Sequence, residues 1–233
     1  MKRVILNVLA VVLMVVSCSA CSGASSGKII MTTIADEEFS FSIRGSGVAT
    51  VDLGNGSEKV PMTLDESGVG LTLKPKDPQA PKLTITITGG SITGLVCKGL
   101  TILDVSRCTE LEKIKCEYSK LKCLDVSKNI ALKRLECEQC QLTSLDMSKN
   151  AALEVLLCSR NGLTSLAVSE KNTALEYIDC DWNELTSSAL NALFGMLPRV
   201  ENGTISIIAN PGADDCGRSI AEGKKWTVKV SNF

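Results

Sequence analysis

Residues 100–120 read LTILDVSRCTELEKIKCEYSK and residues 121–141 read LKCLDVSKNIALKRLECEQCQ; LTSLDMSKNAALEVLLCSRNG follows at 142–162 and LTSLAVSEKNTALEYIDCDWNE at 163–184. The period is 21 residues, with one residue inserted in the fourth copy. A fixed repeat in this range means one small supersecondary unit stacked along an axis, each unit burying its apolar face only against its neighbours. Such a chain builds an extended surface rather than a deep catalytic pocket.

From its second half, each unit reads Leu111-x-x-Ile114-x-Cys116-x-x-Ser119-x-Leu121, then Leu132-x-x-Leu135-x-Cys137-x-x-Cys140-x-Leu142. Leu153-x-x-Leu156-x-Cys158-x-x-Asn161-x-Leu163 and Leu175-x-x-Ile178-x-Cys180-x-x-Asn183-x-Leu185 follow. Ile114 and Cys116 alternate with Lys113 and Lys115, which predicts one short strand per unit with one face inward. Stacked units pair these strands into a parallel sheet. The other half of each unit, as in Leu121, Leu124 and Val126, predicts a second extended segment on the opposite side, with Ser-Lys-Asn as a turn. The slot held by Ser119, Cys140, Asn161, Asn183 and Asn210 is placed to satisfy buried backbone groups after the strand, and Ser119 and Cys140 are its weak members.

This spacing resembles the leucine-rich repeats, with cysteine in the third leucine slot. Cysteine there resembles the internalin-type repeats that carry a stacked cysteine ladder, and LDVSKN resembles leucine-rich-repeat lipoproteins of anaerobic Gram-negative bacteria. The resemblance covers about residues 92–233. It implies a short parallel β solenoid, mostly β with a helical C-terminal cap, used in adhesion or host interaction without catalysis.

The repeats are expected over 91–198, opening with an irregular coil at Ile92-x-x-Leu95-x-Cys97, and the cap over 199–233. Apolar spacing predicts a helix over Ser188–Leu197 stopped by Pro198, a helix over about 214–222, and a closing strand from Trp226 to Val230. Residues 28–90 lack the period. Alternation at Phe39–Ile43, Val60–Leu64, Gly70–Leu73 and Leu83–Ile87 predicts a small antiparallel β-sandwich domain. Its stretch TVDLGNGS at 50–57 resembles the turn of PKD-like modules, with Leu53 and Asn55 departing from that pattern.

Residues 1–17 read as a signal peptide: Lys2 and Arg3, an apolar stretch over Val4–Val16, then Val15-Val16-Ser17-Cys18, which resembles a lipobox. Cys18 is the expected lipidation site, with Cys21 the alternative, and 18–27 the tether. The apolar stretch is short for a membrane span. The expected location is the outer membrane of a Gram-negative bacterium, facing either the periplasm or the cell surface, with the membrane reached through the lipid alone.

Charge excludes other classes. With 25 basic and 26 acidic side chains and no long run of either sign, nothing attracts nucleic acid. The absence of histidine removes the commonest general base and metal ligand. No catalytic residue, metal site or cofactor is assigned.

Cys97, Cys116, Cys137, Cys158 and Cys180 occupy inward slots one per coil, so they read as small hydrophobes with free thiols. Cys137 and Cys140 fill two slots of one coil and lack a second ligand pair for zinc. Cys108, Cys123 and Cys216 lie off the ladder, where a disulfide is left open. Asp104, Asp125 and Asp146 form a column that reads as local turn bonding rather than a calcium site. The outward positions expected on the ladder-side strands are residues 113, 115, 117, 118, 134, 136, 138, 139, 155, 157, 159, 160, 177, 179, 181 and 182. Tyr118, Arg134, Leu157, Arg160, Tyr177, Asp179 and Trp182 are the candidate binding residues among the outward positions, because large aromatics and arginine anchor interfaces. Asn161 and Asn183 complete the structural ladder. The expected function is binding of a protein or glycan partner. The alternatives are a structural envelope spacer and a carboxylate-based glycan hydrolase.

Overall fold

The computed structural model describes residues 2–5, 27–33, 38–73 and 82–231. The two lipidation candidates, Cys18 and Cys21, lie outside them. The chain is mostly β, with two short helices and one large mixed sheet. In chain order the strands are β1 (Lys2–Ile5), β2 (Lys28–Thr33), β3 (Phe39–Asp52), β4 (Val60–Thr63), β5 (Val69–Leu73), β6 (Thr84–Lys98) and β7 (Leu100–Asp104). Short strands follow, β8 (Lys113–Lys115), β9 (Arg134–Glu136), β10 (Ser144–Asp146), β11 (Val155–Leu157), β12 (Ser165–Ala167) and β13 (Tyr177–Asp179). The end is α1 (Ser187–Met196), β14 (Gly203–Ser206), α2 (Ser219–Glu222) and β15 (Trp226–Lys229).

The repeat pairs as its period requires. Strands β8, β9, β11, β13, β14 and β15 form a parallel run, in which Ile114, Leu135, Leu156, Ile178 and Ile205 share one register. All five are fully buried. On the opposite side β10 pairs in parallel with β12. The ladder cysteines are buried and free, and the thiols of Cys158 and Cys180 point at the carbonyls of Asp179 and Ser206 in the next coil, 3.3 and 3.2 Å away. Burial pushes the thiols of Cys97, Cys137, Cys158 and Cys180 far up, so they remain protonated and inert.

Two asparagine ladders hold the coils together. On the strand side Asn161, Asn183 and Asn210 donate to the carbonyls of Cys137, Cys158 and Cys180 in the preceding coil, at 2.8, 3.1 and 2.9 Å. Their Oδ1 atoms accept the N–H of Leu142, Leu163 and Leu185. Ser119 accepts from Leu100 at 3.3 Å, while Cys140 donates a thiol hydrogen bond to Cys116 and offers Leu121 no equivalent acceptor. The second ladder lies in the phrase Ser-Lys-Asn, whose composition predicts only a turn. Asn129, Asn150 and Asn172 are fully buried, and each donates to two carbonyls of the preceding coil. Cys108 fills this slot in the first coil, which explains its burial. The extra residue of the fourth repeat lets Asn172 accept the Ser169 N–H at 2.6 Å, whereas Oδ1 of Asn129 and of Asn150 has no partner.

The N-terminal strands expected to form a small antiparallel β-sandwich are continuous with the repeats. Strands β2 to β6 belong to the same thirteen-stranded sheet as the solenoid, and the boundary expected at residue 90 falls inside β6. The reason is the long antiparallel β3–β6 pair. Its register shifts at Arg44/Gly45 and again at Ser46/Ala49, and bulges bend strands. Gly45 has φ +146°, and a Cβ there would collide with the Ser91 carbonyl. Beyond the bend, β6 pairs with β2, and β2 pairs with β7 of the first coil. Before it, β3 pairs with β5, and β6 pairs in parallel with β8. The N-terminal strands therefore cap both sides of the first coil. β1 lies parallel along the outer edge of β5. Gly27, expected at the end of the tether, is buried, and its carbonyl accepts the Gly89 N–H.

At the other end Thr186 caps α1, which buries Leu190, Leu193 and Phe194. Lys224 Nζ closes the helix by donating to the carbonyls of Gly195 and Leu197, at 2.6 and 2.8 Å. Trp226 is buried and donates to the Pro198 carbonyl. The second helix is shorter than expected and starts at Ser219, because residues 211–216 form turns and Gly217 binds Asn191.

Replacing Asn150 by Ala should cost about 2–4 kcal/mol, because the Val126 and Asn129 carbonyls lose their donor inside the core. Cys140→Asn should instead add about 1 kcal/mol by supplying the Leu121 N–H with an acceptor. Urea denaturation of the two variants checks both signs.

Candidate functional site

Stacking in register turns the repeat into rows across the ladder-side sheet. Arg134, Val155, Tyr177, Thr204 and Thr227 form one row, and Glu136, Leu157, Asp179, Ser206 and Lys229 the next. Lys113 and Lys115 extend the rows at the N-terminal end. Beyond the strands lie Glu117, Glu138, Ser159 and Asp181, then a rim of Tyr118, Gln139, Arg160 and Trp182. The candidate residues therefore separate: Arg134 and Tyr177 share one row, Leu157 and Asp179 the next, and Tyr118, Arg160 and Trp182 the rim.

The rim has one backbone geometry. Tyr118, Gln139, Arg160, Trp182 and Ala209 have φ between 51° and 57°, a left-handed conformation that costs a non-glycine residue roughly 1 kcal/mol. Each of the first four is held there by its N–H, which donates to the next coil at Glu138, Ser159, Asp181 and Ile208, at 2.8–3.2 Å. The backbone turn throws these side chains outward. Tyr118 is 61% and Trp182 54% exposed, and the Arg160 guanidinium stacks on the Trp182 ring at 5.1 Å. Tyr118 stands about 14 Å from Trp182 along the stack, three strand spacings away.

The strand positions are more buried than alternation implies. Glu136 and Ser159 are buried rather than exposed, and Arg134, Leu157, Tyr177 and Asp179 are half-buried. Glu136 is the centre of a cationic cluster: Arg134 Nε lies 2.6 Å, Lys115 Nζ 2.7 Å and Lys113 Nζ 3.3 Å from its carboxylate. Burial raises its pKa, but the hydrogen bonds from Arg134 and Lys115 and the charge of Lys113 outweigh it and bring it down to about 2. Arg134 is thus committed to a neighbour, which lowers its value as an anchor. Sequence reasoning missed this, because the three cations meet one carboxylate only across stacked coils.

The acidic row behaves oppositely. Burial raises the Glu138 carboxyl, reinforced by the neighbouring Glu117 and Asp179. Burial and the Asp181 charge raise Asp179. Tyr177 is raised by burial and by Asp179, Asp181 and Glu138, so its phenol stays a donor. The Asp column is confirmed as turn bonding. Asp104, Asp125 and Asp146 accept the N–H of Ser106, Ser127 and Ser148 at 2.8–2.9 Å. Among the described residues no group of His, Cys, Asp or Glu is arranged to hold a metal ion. Cys123 is exposed, Cys108 and Cys216 are buried, and all three are free.

No protein-family model matches the chain, and no curated protein matches it. Among solved structures, the functional domain of InlJ from Listeria monocytogenes, described as including a cysteine ladder, is similar at 29% identity with a TM-score of 0.48. The match covers 60% of this chain and 31% of that one, so this chain spans about a third of the length of its structural neighbour.

The charge pattern fixes a pH response. A depressed Glu136 stabilises the fold above the ordinary value of 4.5, and this is lost as pH falls from about 4.5 to about 2. Raised Glu138 and Asp179 act the other way, so protonating them on mild acidification relieves repulsion. Glu136→Gln should therefore lose about 2–3 kcal/mol at neutral pH and converge with the parent protein near pH 2. Glu138→Gln should be neutral or stabilising at neutral pH. Urea midpoints measured across pH test both.

Proposed function

We propose that this is a non-catalytic binding module of the cell envelope that docks a protein partner against the rim of its ladder-side sheet. The observation that carries this is Trp182. A large aromatic side chain more than half exposed, on left-handed backbone and stacked by Arg160, has no role in the core. Trp, Tyr and Arg supply most of the binding energy at protein interfaces, and Tyr118 extends the same rim. Beside it the sheet offers basic positions at Lys113 and Lys115 and acidic ones at Glu138, Asp179 and Asp181. That mixture suits a protein surface, since a polyanion would meet the acidic row. Leu157 and Val155 supply apolar contact between the two.

The lipobox-like sequence supports attachment through a lipid on Cys18, in the outer membrane of a Gram-negative bacterium. Among the described residues no helix is long and apolar enough to cross a membrane.

Fluorescently labelled protein applied to an array of envelope, matrix and cell-surface proteins should give discrete positives. Trp182→Ala combined with Arg160→Ala should weaken them by about thirtyfold or more, with an unchanged circular-dichroism spectrum. Undiminished signal in the double variant would place docking elsewhere, and a blank array for the parent protein would favour a spacer. Cys18→Ser should abolish palmitate labelling and move the protein to the soluble fraction. Protease treatment of intact cells then reports which way it faces.

A further inference from the structure

We propose that the protein associates head to tail, with strand β15 of one copy pairing in parallel with strand β5 of the next. This holds for the chain after residues 1–17, read as a signal peptide, have been removed. The large sheet runs from β1 and β5 at one end to β15 at the other. Trp226 covers the core at the β15 end, but no strand lies beyond β15 among the described residues. The opposite end is covered by β1, which sets Lys2 opposite Val69 and Val4 opposite Leu71. Processing takes β1 away and bares the outer edge of β5.

The two edges match in direction and register. β5 is antiparallel to β3 and β3 to β6, while each pairing along the path from β6 to β15 is parallel, so β5 and β15 run the same way. The buried row from Ile114 to Ile205 continues to Val228 at one end, and through Leu95 and Ile43 to Val69 at the other. The cysteine row likewise passes through Cys97 and Phe41 to Leu71, and its slot at the β15 end is Val230, two residues after Val228. Val69, Val228 and Val230 pack on the core yet are only partly buried. A second copy set with Val228 opposite Val69 and Val230 opposite Leu71 extends both rows and takes these side chains further out of water. Thr227 and Lys229 then stand opposite Gly68 and Gly70, which have no side chain to obstruct them.

Hydrogen bonding fits the same register. The Ile207 N–H donates to the Lys229 carbonyl, so residues 227 and 229 bond to β14, and Val228 and Val230 turn their N–H and C=O groups to the free edge. The same alternation, carried from β8 through β6 and β3, turns those of Gly70 and Thr72 to the outer edge of β5. Open edges of this kind add strands readily. The contact joins two different surfaces, so it repeats from copy to copy instead of closing on itself.

Sedimentation equilibrium of residues 18–233 carrying Cys18→Ser tests it, in reducing buffer so that the exposed Cys123 forms no disulfide. The weight-average mass should rise by about half or more between roughly 2 and 200 μM, for a Kd of about 100 μM or tighter. Val228→Pro and Thr72→Pro each remove an N–H from a free edge and none from the ladders inside the protein. Each variant alone should therefore stay monomeric, with little change in melting temperature. Mixed in equal amounts they should form dimers and nothing larger, because one keeps a sound β5 and the other a sound β15; that recovery also shows both to be folded. A parent chain still monomeric at about 200 μM would overturn the proposal, as would association that survives both substitutions or a mixture that stays monomeric.

Discussion

Everything in this protein hangs on one contact, the side-chain amide of an asparagine reaching across to the backbone of the preceding coil. A coil of about 21 residues cannot satisfy its own turn carbonyls, because the chain changes direction where neither a helix nor a strand ladder is available. Asn161, Asn183 and Asn210 do this after the ladder-side strand, and Asn129, Asn150 and Asn172 do it on the far side. Asparagine suits the slot because it donates and accepts from one planar group. The serine and cysteine substitutes at 119 and 140 supply fewer bonds, and both lie toward the N-terminal end, where the antiparallel β3–β6 pair is packed against the stack.

That strand pair explains why the sheet runs unbroken through the described residues. A solenoid exposes two raw edges at each end, one per side, and open edges invite further pairing. Bending at Gly45 lets one pair of long strands cover the ladder-side edge through β6–β8, while β2 covers the far edge through β7. At the C-terminal end, β15 and the buried Trp226 close the ladder side, while α1 contributes Leu190, Leu193 and Phe194 to the core.

The same stacking sets the chemistry of the surface. Side chains 21 residues apart become neighbours across about 4.8 Å, so charges that look scattered in the sequence meet as clusters. Lys113, Lys115 and Arg134 converge on Glu136, and Glu117, Glu138 and Asp181 fall in line beside Asp179. One cluster neutralises itself, the other keeps its repulsion, and the rim with Arg160 and Trp182 stands clear of both. The two exposed anchors of the rim are held by the next coil's carbonyls, so display of Trp182 is a consequence of stacking and needs no helix or loop of its own.

The sequence by itself determined the period, the stacked parallel strands, the burial of the five ladder cysteines and the helix-and-strand cap, because each rests on local spacing that survives in any register. It also marked Asn161 and Asn183 as ladder residues and Tyr118, Arg160 and Trp182 as outward. It did not reveal the second asparagine ladder, since Ser-Lys-Asn has the composition of an ordinary turn and only the packed stack shows the asparagine pointing in. Nor did it reveal which strands of residues 28–90 pair with the first coil, because pairing between strands of distant sequence leaves no local signature. The burial of Glu136 and the loss of Arg134 to it were decided by tertiary structure alone, for one reason: each depends on which side chains from neighbouring coils stand within a few ångströms.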